Sequence, residues 1–381
     1  MLSLAISAGA VIEAGAAEIP GARLERLSFA DLPGWAKDDH AAAFATFLRS
    51  CDAILSGSPQ LRPAGATGEN LLAACRTARA APVTDARAFF ETRFIPHLIA
   101  TETGRGFLTG YYEPVYDGSR EPTDEFSAPL LARPDDLVTI PAGGTLAGVP
   151  ENLAAARRVA EGYEPYPERA QIEDGALGSR ARAIAHLRHP AQAFIIHVQG
   201  SARIRLPGGE TMRVGYAGRN GHPYSSVGRV LVERGHIPAE EMSLERLLGW
   251  LEAPENAAES REIMRLNRSF IFFTEIEGLA PELGPIGGAG IPLTPGRSLA
   301  VDRNIWRYGL PFWLHGDIPD ATGVARETAR LMIAQDTGTA IVGPARGDYF
   351  TGTGDSAGTQ AGLIRHRPRF VVLLPRPAEE P

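Results

Sequence analysis

The stretch LMIAQDTGTAIVGPARGDYFTGTGDSAG, residues 331–358, sets three aspartates, Asp336, Asp348 and Asp355, in a run dominated by glycine and alanine. Apolar Leu331, Met332 and Ile333 lead toward Asp336, as a buried strand does when it ends at a site. A carboxyl group at such a place is partly withdrawn from water, so its pKa should rise. A carboxyl group that keeps its proton near neutral pH can work as a general acid. Arg346 stands two residues before Asp348. On an extended strand both side chains point to one side and the guanidinium lowers the Asp348 pKa, whereas a turn at Gly347 separates them.

The same stretch contains Asp336-Thr337-Gly338, the triplet of aspartic proteases, in which two such aspartates share one proton. This chain has a single copy, so a protease would need a second copy from a partner subunit, and one short motif is weak evidence.

Composition sets the frame around this segment. A chain of 381 residues, 44% hydrophobic and 22% charged, fits a soluble globular protein of two domains, with one large domain or three small ones as alternatives. The net charge of -7 disfavours a general affinity for nucleic acid or anionic membrane. The 42 glycines and 30 prolines favour a turn-rich β fold over a helical bundle. No apolar run approaches the roughly 20 residues of a membrane helix. Residues 1–20 resemble the remnant of an export signal, apolar and ending in small residues, although a positive start is missing and Glu13 interrupts it. The competing reading is a disordered cytosolic N-terminus. No cysteine follows closely enough for a lipid anchor. The two cysteines, Cys51 and Cys75, are a disulfide candidate in an exported protein and two buried thiols in the cytosol.

Helical spacing predicts helices over 38–55, with Phe44, Phe47, Leu48, Cys51, Ile54 and Leu55 on one face, and over 70–80. A third helix is expected from a Thr84 N-cap to about Phe94, stopped by Pro96. GFLTGYYEPVYDG, from Gly106, reads as a strand entering a loop that exposes Tyr111 and Tyr112. A helix is expected at 151–161. AFIIHVQ (193–199), SARIRL (201–206) and TMRVGYAG (211–218) read as a β meander, with His197 a core histidine on the first strand. Residues 225–235 and 243–252 read as helices. Strands are expected at 267–275 and near 311–314, 330–335, 339–342 and 369–374. His197, His222 and His236 have no metal-ligand spacing, and Gly284, Gly287, Gly288 and Gly290 read as turns rather than a nucleotide loop.

Six segments occur in order: GFLTGYYEPV (106–115), YPERAQIEDGAL (166–177), the run 198–235, NRSFIFF (267–273), GPIGGAGIPLTPGRSLAVD (284–302) and AQDTGTAIVGPARGDYFTGTGDSAG (334–358). Together they resemble the membrane-bound lytic murein transglycosylase A family. The resemblance implies a mainly β fold with N-terminal helices. A double-psi β-barrel of residues 21–112 and 272–381 would carry an inserted small β-barrel, 113–271, with the substrate groove between them. It implies cleavage of the β-1,4 bond between N-acetylmuramic acid and N-acetylglucosamine in peptidoglycan, yielding a 1,6-anhydro sugar, by one acid/base residue.

The family's three aspartates map to Asp302, Asp336 and Asp348, so Asp302 joins the set and Asp355 becomes secondary. Asp348 is then the acid, Asp336 its support and Asp302 a brace. Thr109, Tyr111 and Tyr112 at the domain junction, and Gln199, Ser201, Asn220 and Tyr224 in the insert, are the expected substrate contacts. For Asn220 and the QGS segment, turns that hold the insert together are the equal alternative. No cofactor and no metal are implied. Glycan strands are the expected partner of a monomer, with a cell-wall synthase or scaffold as a possible further one and no nucleic acid. The location implied is periplasmic, with possible association with the outer membrane. A glycan-binding relative without activity and an aspartic protease are the alternatives.

Overall fold

The computed structural model describes residues 16–80, 84–102, 104, 106–141, 143–320 and 322–377. The leader reading falls mostly on residues 1–15, outside the described residues. Its last part does not: Ala16–Ile19 form the first strand, paired antiparallel with the second.

Before the insert the chain forms β1 (Ala16–Ile19), β2 (Ala22–Arg26), helices α1 (His40–Ser56), α2 (Glu69–Ala80) and α3 (Ala86–Arg93), then β3 (Phe94–Thr101) and β4 (Phe107–Glu113). The middle section holds β5 (Val115–Ser119), β6 (Ala128–Leu131), β7 (Leu137–Thr139), β8 (Ala155–Val159), β9 (Gly162–Pro165), α4 (Arg169–Glu173), β10 (Ala183–Leu187), α5 (Pro190–Gln199), β11 (Ser201–Arg205), β12 (Thr211–Arg219), α6 (Val227–Glu233), α7 (Leu244–Glu252), α8 (Ala257–Arg265) and β13 (Ile271–Glu275). The last section adds β14 (Ser298–Val301), β15 (Pro311–Pro319), β16 (Ala325–Asp336), β17 (Arg346–Thr353), α9 (Asp355–Leu363), β18 (Arg365–His366) and β19 (Arg369–Pro375).

The outer sections share one ten-stranded sheet, ordered β1-β2-β3-β19-β15-β16-β14-β17-β4-β18, and the middle section forms a six-stranded sheet, β13-β12-β11-β5-β10-β6, with a three-stranded β7-β8-β9 beside it. The chain thus changes sheets at Pro114, between β4 and β5, and returns after β13. The fold is mainly β with helices, as expected. Among the described residues no pairing closes the ten-stranded sheet, and the ends of the six-stranded one meet only at a single bridge, Ala132 with Phe273.

The main core lies under the N-terminal helices. Asp39 caps α1 through the Ala42 amide at 3.0 Å, and Gly57, at φ 67°, ends it. Phe44, Phe47 and Cys51 then share the buried face and meet Phe89, Phe90 and Phe94 in a ring cluster. Cys51 and Cys75 are bonded, tying α1 to α2.

Several expectations are corrected. Residues 193–199 belong to helix α5, and His197 with them. Residues 193–197 are buried without a break, so periodicity cannot separate helix from strand. The ends decide: the His189 ring accepts from the Ala191 amide, Pro190 fits the first turn, and Gly200, at φ 82°, closes the helix. The expected helix at 151–161 is strand β8, held between β7 and β9, because ladder pairing overrides the preference of its alanines. Residues 339–342 form no strand. Tyr111 and Tyr112 lie within β4 and are buried rather than loop-exposed. Asp85, not Thr84, caps α3, and Pro96 sits in β3. Helices α4, α8 and α9 had no counterpart in the sequence reading.

Candidate active site

The register of four adjacent strands builds the site. Asp336, at the end of β16, pairs with Ala300 on β14; Ala300 pairs with Asp348 on β17; Asp348 pairs with Thr109 on β4. These four residues form one row across the sheet. Neighbouring strands are about 4.8 Å apart, so the two aspartates stand roughly 10 Å apart at Cα, with only a methyl group between them.

Asp348 is half-buried on this row. The Thr109 hydroxyl donates to its Oδ1 at 2.6 Å, and Arg346 Nη2 donates to the same hydroxyl at 2.7 Å. Strand β17 runs through Gly347 without a turn, so Arg346 does lie on the Asp348 side. The threonine oxygen stands between guanidinium and carboxylate, which form no direct ion pair. Burial pushes the Asp348 carboxyl up to about 6, against the pull of Arg346 and of the Thr109 hydroxyl, and the charge of Asp336 adds to the rise.

Asp336 Oδ1 accepts from the amides of Gly288, at 2.7 Å, and Thr337, at 2.8 Å. Gly288 allows this approach: a Cβ there would lie 2.6 Å from the Tyr308 hydroxyl and 3.2 Å from Asp336 Oδ1. Asp302 is buried away from the row and accepts from the amides of Asn304 (3.0 Å) and Gly343 (2.8 Å), anchoring the loop that leads into β17. Asp355 is exposed at the start of α9.

A cavity of about 280 Å³ opens over the row. Thr109, Tyr111, Asp336 and Asp348 line it from the larger sheet, and Gln199, Ser201 and Tyr224 from the middle section. Tyr112, Asn220 and Asp302 are not brought to it. Asn220 is fully buried: its amide donates to the Pro167 and Arg268 carbonyls and accepts from the Phe270 amide, which holds the middle section together. Sequence reasoning missed Arg62, which lines the cavity from the loop after α1, and gave Tyr216 no special place. Nothing in the local sequence marks Arg62; only the fold brings it there. Among the described residues no group of three or more His, Cys, Asp or Glu side chains could hold a metal ion.

A family model described as the MltA specific insert domain matches residues 107–274, and one described as the 3D domain matches 297–374. The membrane-bound lytic murein transglycosylase A of Escherichia coli K12 is 33% identical over 281 residues, 73% of this chain and 68% of that protein. The chain belongs to the membrane-bound lytic murein transglycosylase A family. Its counterpart from Vibrio cholerae is 32% identical over 268 residues, 69% of this chain and 64% of that protein. Among solved structures, the membrane-bound lytic murein transglycosylase from Agrobacterium tumefaciens superposes with a TM-score of 0.82 at 37% identity, covering 93% of this chain and 98% of the other. Escherichia coli MltA with bound chitohexaose gives a TM-score of 0.65 at 28% identity, covering 88% and 90%.

Proposed function

We propose that this protein is a lytic transglycosylase that cleaves peptidoglycan between N-acetylmuramic acid and N-acetylglucosamine, with Asp348 as its single acid/base. The observation that carries the assignment of Asp348 is its carboxyl group, raised to about 6 on the cavity wall. A hydrolase needs a second carboxyl group to direct water or to attack. An intramolecular transfer does not. Asp348 gives its proton to the glycosidic oxygen as the bond to C1 breaks. The C6 hydroxyl of the same muramic acid attacks C1, and its proton passes to the Asp348 carboxylate. The ring closes as a 1,6-anhydro sugar, no water is consumed, and the acid is restored.

Thr109 and Arg346 orient the carboxylate while it is charged. Asp336, held by two backbone amides, keeps a second negative charge across Ala300, which favours the protonated form of Asp348 and the cationic character at C1. Tyr111, Gln199, Ser201 and Tyr224 are read as walls for the sugar rings. Parallel pairing of β4 with β17 and of β14 with β16 supports reading the larger sheet as a double-psi type of barrel. The lobes divide at Pro114 and after Glu275, slightly beyond the limits drawn from sequence. Kinship with membrane-bound enzymes supports a cell-envelope location.

Asp348→Asn, given purified murein sacculi, is expected to release no anhydro-muropeptide, while the unaltered protein releases products one water lighter than the hydrolytic sugars. Substantial product from the variant would refute the role of Asp348. Binding of sacculi by the unaltered protein with no soluble product would instead favour a glycan-holding protein.

A further inference from the structure

The rim of the cavity holds positive charge that the cleavage chemistry leaves unused. The Arg62 guanidinium stacks over the Tyr216 ring, 4.1 Å from its centroid, and donates to the Thr337 carbonyl at 2.6 Å. Arg219, at the end of β12, reaches across from the middle section to the Thr339 hydroxyl at 2.7 Å. Thr337 and Thr339 both line the cavity. Arg303, in the turn after β14, is half-buried and among the described residues meets neither a hydrogen-bond acceptor nor a carboxylate. The three come from three separate parts of the chain. They lie close enough that, after burial, the charges of Arg62 and Arg303 both depress the Arg219 pKa.

Among the described residues none of the three forms an ion pair. The carboxylate that shares their surroundings is Asp336, whose Oδ1 is already engaged by the Gly288 and Thr337 amides. In a chain of net charge -7, an unpaired group of three guanidinium ions is an unfavourable arrangement. Like charges repel, and partial burial strengthens the repulsion. An anion bound among them would offset both costs. The planar fork of arginine matches a carboxylate through two parallel hydrogen bonds.

We propose that Arg62, Arg219 and Arg303 form a carboxylate-binding site at the cavity rim, which reads a free carboxylate of the peptide borne by muramic acid. This rests on the peptidoglycan-cleaving function proposed above. Muramic acid carries its peptide on a lactyl ether that projects sideways from the sugar ring. A strand seated over Asp348 therefore presents peptide at the rim, and the carboxylates of that peptide are its anionic groups. The site makes the enzyme selective for strands whose peptides keep their free carboxylates.

The test compares release of anhydro products from intact sacculi and from the same sacculi with their peptide carboxylates converted to amides by a carbodiimide and ammonia, at low salt. The unaltered protein is expected to favour the untreated sacculi by about tenfold, the effect of one charge-assisted contact. Arg303→Gln, which breaks no contact of the fold, and Arg219→Gln should bring the ratio of the two rates toward one, and Arg303→Lys should keep most of it. A ratio already near one in the unaltered protein, or variants that slow both substrates equally, would overturn the site. If neither substrate yields anhydro product, the proposed function itself falls and this site with it.

Discussion

Asp348 is governed by two opposed influences. Withdrawal from water favours its protonated form, while the Arg346 charge and the Thr109 hydroxyl favour the ionised one. Burial wins, and the pKa settles near 6. Catalysis that begins with proton donation should then fall as pH rises through about 6, read as the descending limb of kcat/KM on sacculi. Stability follows the same group. Its folded pKa, about 6, exceeds the ordinary aspartate value of 3.8, so between these values the folded state holds more proton than the unfolded chain, and stability falls as pH rises. Asp348→Asn removes the charge and keeps an oxygen for the Thr109 hydroxyl. It should therefore raise Tm at pH 7 by the equivalent of roughly 1–3 kcal/mol, with little change at pH 4. An equal effect at both pH values would contradict the raised pKa. Sequence alone left the balance with Arg346 open, because it turns on one threonine oxygen supplied by a strand more than two hundred residues away.

At the scale of the element, the row of Asp336, Ala300, Asp348 and Thr109 defines the workspace. Ala300 is the small member that keeps the floor open between two carboxylates. Ala300→Leu should abolish release of anhydro product while costing about 1–3 kcal/mol of stability, measured by denaturant unfolding, because a larger side chain overfills the floor. A variant that folds and retains full activity would argue against this floor as the substrate bed. Strand β17 was not legible, since its glycines carry no strand period and a strand was expected at 339–342 instead, but Leu331–Ile333 announce β16 and GFLTGYYEP announces β4. The register of the row was not legible, since the crossover that sets Asp348 beside Thr109 depends on long-range pairing. Helix α5 was misread because residues 193–197 are buried in succession and set no period. Its His189, Pro190 and Gly200 boundaries carried the correct signal. The Asn220 turn shows how a polar residue in a promising motif can serve only the backbone.

For the whole molecule, the joints between the two lobes matter most. Glu113, fully buried at the end of β4, accepts from Arg203 at 2.8 Å, from Arg213 at 3.1 Å and from the Thr353 hydroxyl at 2.8 Å. The same two arginines also hold the returning chain, donating to the carbonyls of Ala280, Pro281 and Leu283. Glu113→Gln should cost about 3 kcal/mol or more in denaturant unfolding, because it leaves two guanidinium ions short of a counter-charge away from water. A neutral result would show that the joint is not electrostatic. The Cys51–Cys75 bond plays a comparable part under the first core, and replacing both cysteines by alanine should lower stability by roughly 3 kcal/mol, read by thermal melting.

Glu113 also fixes how substrate is met. One carboxylate locks the outgoing and returning crossings together, so the lobes cannot swing apart without stranding three charges at once. The slot between them is cast to size when the chain folds. A polymer is then admitted lengthwise, like thread laid into a notch, and the molecule acts as a gauge for strands that already fit rather than as jaws that close around them.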